Sequence, residues 1–492
     1  MSPAIDDIMQ QKLNKLKALR EAGIEPFPYG YHRDCTTQEA VAKIEQNKDL
    51  LLTQDFMVKV AGRVMSRRGM GKTCFMDLRD GSGKIQLFFR INNLESKYDQ
   101  VKDLDVGDIV GVEGKLFLTR TSEPTIEVKD FKLLAKALQP LPEKWHGLVD
   151  VEKRYRQRYL DLISNPEVKK TFEIRSQTIS AIRDFLNKRG FLEVETPVLQ
   201  PEAGGASAKP FITHYNALDR DFYLRIALEL HLKRLIIGGF DKVYEMGHVF
   251  RNEGIDFKHN PEYTLLETYE AYADYQDVMQ MVEEMVSSVC LQVHGSMKVE
   301  FNGQTLDFTP PWKRLDMHEA VLQYAGLDYN LYPDTESLKA EMLRRGMQFD
   351  TKKERGKLID ELVSTYVDPQ LVQPTFLCDY PIELSPLAKK KPGFDNITER
   401  FEAYAGNMEI ANAFTELNDP IDQRQRFLKQ AEERARGDEE AQPLDEDFLN
   451  AMEHGMPPTG GLGIGIDRIV MLLTNNTSIR EVILFPALKE KE

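Results

Sequence analysis

Between residues 56 and 134 five β-like runs follow one another at short intervals: Phe56–Met65, Thr73–Arg79, Lys84–Arg90, Asp108–Leu118 and Thr125–Leu134. Glycine-rich or charged turns separate most of them, and a helix is expected over Asn92–Lys102, between the third and the fourth. Five strands with one helix in that place restrict the segment to a small closed barrel of the oligonucleotide-binding type. Alternation then assigns the faces. Cys74, Met76, Leu78, Ile85, Leu87 and Phe89 point inward, which sends Phe75, Asp77, Arg79, Gln86, Phe88 and Arg90 out. Phenylalanines and arginines on one outer face suit the stacking of single-stranded bases, worth ~1–3 kcal/mol per base. Burial of the rings against a neighbouring domain is the alternative.

A chain of 492 residues exceeds what one core usually serves, so at least one more domain is expected. The acidic N-terminus, MSPAIDDIMQ, holds no apolar leader, and no run is long and apolar enough to span a bilayer. Cys35, Cys74, Cys290 and Cys378 are scattered without paired spacing, which speaks against a zinc site and for a reducing, cytoplasmic setting. The formal net charge of −15 is uneven. Residues 1–150 hold 23 basic and 22 acidic side chains, leaving 41 of the 64 basic and 57 of the 79 acidic ones to the remainder. Nucleic acid is thus better accommodated by the first 150 residues. Helical spacing of Ile8, Met9, Leu13, Leu16 and Leu19, stopped by Gly23, predicts a helix over Ile5–Ala22. Its Lys12, Lys15, Lys17 and Arg20 form either a solvated face or a basic arm for phosphate.

The segment ALQPLPEKWHG (Ala137–Gly147) reads as a linker, after which strands and helices come in runs rather than in βαβ alternation. The expected class is α+β: an OB-type barrel, then an antiparallel sheet flanked by helices. Domain boundaries are expected at 1–55 (helical extension), 56–138 (barrel), 139–150 (linker) and 151–492, with a helical insertion around 313–373. ARGDEEAQPLDED reads as a solvated acidic connection.

Three stretches carry unusual chemistry. In FRNEGIDFKHNPEYTLLETYEAY, strand alternation places Glu267 among Tyr263, Leu265, Tyr269 and Ala271. A carboxylate there needs a cationic partner, either Arg251 in an internal bridge or a positively charged ligand. The donors Arg251, Lys258, His259 and Asn260 between them suit a polyphosphate. In RFEAYAGNMEIANAFTEL, a hairpin turning at Ala405–Gly406 would set Glu402 directly opposite Glu409. Opposed like charges destabilise a sheet, and two such oxygens suit Mg²⁺ with substrate phosphates. Asn412, Phe414 and Glu416 share a face further along. In GLGIGIDRIVML, three glycines admit close packing before Arg468, whose one nearby acidic residue is Asp467.

These stretches resemble a known family. Pro197 after a helix and strand, FRNEG…HNPEYTLLE, and GLGIGIDR resemble the three signature motifs of class II aminoacyl-tRNA synthetases. With RYRQRYLDLI, KPFITHYNALD and EIANAFTELNDP, the chain resembles the bacterial-type lysyl-tRNA synthetases over roughly residues 5–490. The resemblance implies that Arg251 binds the α-phosphate and the amino-acid carboxylate, Glu253 the adenine amino group, and His259 and Asn260 the rest of ATP. Tyr263 would stack beneath adenine, Arg468 would close above it, and Glu402 and Glu409 would hold Mg²⁺. Glu267, Tyr269 and Glu416 would meet the ε-ammonium of L-lysine, Asn412 and Phe414 would line its slot, and Glu229 with the Gly205 carbonyl would meet its α-ammonium. Phe75, Gln86 and Asp130 align with anticodon readers of tRNA(Lys), and the first motif implies a homodimer. Departures are Leu228 where many relatives have proline, Asp130 where many have glutamate, and Ala411 and Ala413 where glycine is common, which would narrow the slot.

The implied reaction is attack of the lysine carboxylate on ATP to give lysyl-adenylate, then transfer to the tRNA 3′ end. An aspartate- or asparagine-specific relative would need a cationic or amide-reading pocket in place of Glu267 and Glu416. A ligase that modifies a protein would lack the barrel, and a non-catalytic RNA binder would not assemble Arg251, Glu402, Glu409 and Arg468.

Overall fold

The strands Met57–Met70 (β1), Thr73–Arg79 (β2), Lys84–Arg90 (β3), Ile109–Leu118 (β4) and Pro124–Ala135 (β5) close into a barrel in the order β1-β2-β3-β5-β4. This computed structural model describes residues 3–142, 148–436 and 444–490, so parts of the expected linker and of the acidic connection lie outside the described residues. The chain divides into two compact units, Met1–Val149 and Asp150–Glu492.

In the first unit the inward residues are those that alternation selects. Cys74, Met76, Leu78, Ile85, Leu87 and Phe89 are all buried in one core. The helix expected after β3 is a single turn, Ile91–Leu94, followed by a 3₁₀ run, Glu95–Asp103. Glu95, with φ of 49°, breaks the two apart. The N-terminal helix α1 (Pro3–Glu21) ends before Gly23, whose φ is 72°. Two of its four basic side chains are engaged internally: Lys15 pairs with Asp105 at 2.6 Å, and the buried Lys12 donates to the Val106 carbonyl. Asp105 and Asp108 also hold the buried Lys136 ammonium, at 2.7 and 2.9 Å. Lys17 and Arg20 remain exposed.

The second unit is built on an eight-stranded sheet. Its spatial order is Lys313–Asp316, Thr375–Cys378, Arg400–Ala405, Met408–Thr415, Thr459–Gly465, Glu262–Ala271, Lys242–Phe250 and Leu192–Glu193. Pairing is antiparallel except at the two ends, where the outermost strands run parallel to their neighbours. Pro197 divides the run FLEVETPVL as expected of a residue without an N–H. Leu192–Glu193 joins the main sheet, while Leu199–Gln200 pairs in a separate three-stranded sheet. One face of the main sheet, including Leu266, Ile410, Ala411, Ala413, Leu462 and Ile464, packs into the principal core with the helix Tyr275–His294. The other face is left for chemistry.

The insertion expected at 313–373 begins later than its composition suggests. Lys313–Asp316 is an edge strand of the main sheet, and the helices Met317–Ala325, Thr335–Arg344 and Arg355–Leu362 follow it around a core of their own. Among the described residues no helix is long and apolar enough to cross a membrane.

The hairpin of Arg400–Ala405 and Met408–Thr415 turns one residue later than expected. Ala405 pairs Met408, so the turn residues are Gly406 and Asn407, with φ of 59° and 61°. A two-residue hairpin loop of this kind needs positive φ at both positions, which glycine and asparagine adopt and alanine resists. A shift in register then follows between Ala403 and Tyr404, so Glu402 faces Asn412 and Glu409 faces Tyr404. The carboxylates are not opposed. A Cβ on Gly406 would lie 2.8 Å from the Phe301 ring and 3.0 Å from Leu472. Gly406→Ala therefore combines a left-handed penalty of ~1 kcal/mol with overpacking of ~1–3 kcal/mol. The thermal midpoint of the ligand-free protein should fall by several degrees, and an unchanged midpoint would show that the turn relaxes into another conformation.

Candidate active site

The strand Glu262–Ala271 lies between Lys242–Phe250 and Thr459–Gly465, which buries both its flanks. Its Glu267 is 4% exposed. One carboxylate oxygen accepts from the Leu228 N–H at 2.8 Å and the other from the Tyr269 hydroxyl at 2.9 Å. The Arg251–Glu267 bridge held open by the sequence is absent, and among the described residues Glu267 has no cationic partner. Burial, with Glu229 adding to it, pushes its pKa up to about 7. The N–H on Leu228 is one that proline could not supply, so the departure at this position adds a hydrogen bond to the buried carboxylate.

Two more carboxylates stand beside it. Glu229 opens the helix Glu229–Ile237, and Lys233, one turn on, lays its ammonium 2.5 Å from Glu229 and against Glu416. The Lys233 side chain is fully enclosed, with its nitrogen 5.5 Å from the Phe414 ring and 5.9 Å from that of Phe448. Burial raises Glu229 and lifts Glu416 well above the ordinary range, against the pull of Lys233. Burial also opposes the Lys233 ammonium, but the two carboxylates outweigh it and leave its pKa raised. Gly205, with φ of 87°, brings its Cα close beneath Glu229 and Ala227. Gly461 is required where it stands, since a Cβ there would overlap the Glu416 carboxylate and crowd the Tyr269 ring. Asn412 and Phe414 share the sheet face of the expected slot, and Asn412 accepts from Arg400 at 3.0 Å. Ala411 and Ala413 do not narrow it, because alternation turns their methyls into the opposite core.

A second acidic group lies on the same sheet face. Glu402 accepts from Arg400 at 2.7 Å and from the Tyr404 hydroxyl at 2.8 Å. Arg468 donates to the Glu409 carbonyl at 2.6 Å and to its carboxylate at 3.1 Å. Burial and then the charge of Glu409 raise Glu402, so the two remain electrostatic neighbours without direct pairing. Asp368 adds to them: one of its oxygens is buried without a partner, and burial with the Glu402 charge pushes its pKa to about 7. Asp467 is not the partner of Arg468. It pairs with Arg175 at 2.6 Å and accepts from the Thr264 N–H at 2.8 Å, fastening the helix Pro166–Lys188 and the central strand to the start of the helix Ile466–Leu473.

Arg251, just past Phe250, stands 5.5 Å from the Tyr263 ring and reaches the Ile226 carbonyl. Glu253 and His259 are exposed on the loop, with His259 held by Asp256 at 2.9 Å. Asn260 is buried, and its carboxamide is spent on the Glu262 carbonyl and the Ala487 N–H. On the barrel, Phe75 pairs across from Phe88 with stacked rings 4.4 Å apart, and Arg90 lies over Phe88. Gln86 accepts from Thr125, and Asp130 pairs with Lys97 at 2.5 Å.

Sequence reasoning missed Lys233, Arg400, Arg175 and Asp368. For Lys233 a signal was present: it is four residues after Glu229 within LELHLKRLII, where the apolar neighbours argue against a surface ion pair. Arg400, two before Glu402, shares its strand face. Arg175 and Asp368 meet partners far along the chain, and no local pattern marks them.

Residues 150–489 match the family model described as tRNA synthetases class II (D, K and N), and residues 58–134 match OB-fold nucleic acid binding domain. Among curated proteins the chain is 60% identical over 484 residues to a lysine–tRNA ligase of Dehalococcoides mccartyi, covering 98% of this chain and 97% of that one. It is 54% identical to a lysine–tRNA ligase of Moorella thermoacetica, covering 99% of both. One of Clostridium novyi is 53% identical, with 98% and 94% covered.

Asp467 gives the site a stability test. Arg175→Met leaves a buried carboxylate with one hydrogen bond and no cation, a loss of ~3–5 kcal/mol for a broken buried pair. Denaturant unfolding of the ligand-free protein should show it, and a loss below ~0.5 kcal/mol would mean that Thr264 alone satisfies Asp467.

Proposed function

The chain belongs to the class II tRNA synthetases, and from that premise we propose a role for each part of its site. The protein is a ligase that activates L-lysine with ATP to lysyl-adenylate and passes the lysyl group to the 3′ end of tRNA. Glu267 carries the substrate assignment, because it is buried, acidic and without a cation of its own. Three carboxylates, Glu229, Glu267 and Glu416, share one internal ammonium, Lys233, which leaves the pocket two positive charges short. Free lysine brings two ammonium groups, and its carboxylate falls to Arg251. In this reading the ε-ammonium meets Glu267, Tyr269 and Glu416, with Asn412 and Phe414 lining the slot, and the α-ammonium meets Glu229 and the Gly205 carbonyl. An aspartate or asparagine side chain would meet carboxylates where it needs donors.

ATP lies across the same sheet face, with adenine between Tyr263 and Arg468, Glu253 on its amino group, and His259 and Asn260 along the loop. The orphaned Asp368 oxygen and the raised Glu402 mark a region with more negative charge than Arg400 and Arg468 cancel. Those hard oxygens fit Mg²⁺, held by Glu402 and Glu409, which would supply charge neutralisation for the phosphates. A lysine carboxylate oxygen attacks the α-phosphorus in line, the bond to the β-phosphate oxygen breaks, and pyrophosphate leaves. A terminal ribose hydroxyl of tRNA then attacks the acyl carbon and AMP departs. Arg251 and Arg468 bind and orient, and no side chain is required as a base for activation.

Residues 56–138 serve as the domain for the tRNA(Lys) anticodon, with Phe75, Gln86 and Asp130 as contacts, and 151–492 as the catalytic domain. Leu192 and Leu199, both about half exposed, support a homodimer built on the first motif. The absence of paired cysteine spacing supports a cytoplasmic setting.

Amino-acid-dependent ATP–pyrophosphate exchange tests the assignment, with lysine alone of the twenty expected to support turnover. Hydrogen bonds to charged groups are worth ~1.5–3 kcal/mol, so Glu267→Gln should lower kcat/KM for lysine by roughly ten- to a hundredfold. The ammonium requires Glu267 ionised, and its pKa in the empty pocket is about 7. Lysine affinity should therefore rise from pH 6 to 8, and the slope should be reduced in Glu267→Gln. Wild-type exchange in that variant would remove Glu267 from the pocket.

Phe75→Ala separates the two units. Loss of one stacked base should raise KM for tRNA by roughly tenfold, from ~1–3 kcal/mol, while exchange, which needs no tRNA, is unchanged. Equal loss in both assays would place Phe75 in the fold and not at the anticodon.

A further inference from the structure

Lys233 has no assigned part in the reaction, yet it is enclosed at the floor of the pocket and touches two of the three carboxylates that face the substrate. It cannot be a solvated charge that strayed inward. Phe414 and Phe448 flank its nitrogen, and the buried Leu230, Phe427, Phe448 and Leu449 form a core cluster around the same helix. We propose that Lys233 is a specificity-determining positioning residue: a built-in ammonium that holds the Glu229 and Glu416 carboxylates side by side and favours their ionised forms, so that the pocket suits a substrate with two ammonium groups. The proposal rests on the lysine-binding reading given above.

The geometry supports a fixed counter-ion over an exchangeable one. Lys233 and Glu229 lie one turn apart on a single helix, so their contact needs no tertiary adjustment. Glu416 follows the strand Met408–Thr415, and its carboxylate occupies the space that a Cβ on Gly461 would take. The other groups facing this cluster are Glu267 and Tyr269 on the central strand, Arg400 from the neighbouring strand, and Arg251. Arg400 is already bound to Glu402 and Asn412, and Arg251 makes no ion pair among the described residues. Without Lys233 no cation among the described residues would touch Glu229 or Glu416 before substrate arrives, and both would take up protons more readily in the empty pocket.

Lysine titrations by calorimetry, in buffers of different ionisation enthalpy, count the protons released on binding. At pH 7 Lys233→Met should release about one proton more than the wild type, since Lys233 favours the ionised carboxylates of the empty pocket and the variant must ionise them on binding. Lysine affinity in the variant should be at least roughly tenfold weaker at pH 7 and should rise more steeply with pH above 7 than that of the wild type; ATP affinity should not change. An unchanged proton count in a folded Lys233→Met protein overturns the proposal, as does release of two or more protons by the wild type, which needs no variant. Glu267→Gln distinguishes the premise. If that change leaves lysine binding intact, the pocket assignment fails; if it weakens binding while Lys233→Met behaves as wild type, only the role of Lys233 fails.

Discussion

A carboxylate buried without a cation is the constraint on which the second unit turns. Glu267 sits in the middle of a sheet whose flanking strands seal both its edges, and it has a backbone N–H and a tyrosine hydroxyl for company. Such a group destabilises the empty fold, and it persists only if the surrounding structure over-determines it. The helix start at Leu228, the glycine-rich strand Thr459–Gly465 and the enclosed Lys233 all contribute to that. Gly461 illustrates the coupling, since one added methyl would strike both Glu416 and Tyr269.

Much of this was legible in the sequence, and the legible part is local. Strand alternation identified the two faces of Tyr263–Tyr272 and both faces of the barrel, because a period of two needs no knowledge of neighbours. It also showed Glu267 to be misplaced for an ordinary core. What alternation could not say was which strand lies beside which. The register of the Glu402–Glu409 hairpin was missed by two residues because the turn lies one position later, where the left-handed conformation of Gly406 and Asn407 decides, and by a third through the irregularity after Ala403. The two errors did not cancel. Glu409 came to face Tyr404, and the carboxylates ended as neighbours on one face.

Partners distant in sequence were the other blind spot. Asp467 adjoins Arg468, and proximity along the chain suggested a pair. On a helix, consecutive residues point in different directions, so Asp467 turns inward to Arg175 while Arg468 turns towards Glu409. The consequence is mechanical as well as electrostatic. Asp467 ties the helix Pro166–Lys188, the central strand and the helix Ile466–Leu473 together one residue away from an arginine proposed to cover ATP.

Arg400 shows how the two acidic groups are kept apart in function though they share a sheet face. Its guanidinium binds Glu402 and Asn412, lies 4.5 Å from the Tyr380 ring, and lowers Glu229 through its charge. It therefore stands between the carboxylates assigned to phosphate and metal and those assigned to the amino acid. A wall of that kind has to be cationic. A neutral residue would let five carboxylates repel one another across a buried space, and each would gain a proton in place of a ligand. With Arg400 and Lys233 beside them, each acidic group retains its own deficit of positive charge, one proposed to be met by a metal and phosphates and the other by the two ammonium groups of lysine.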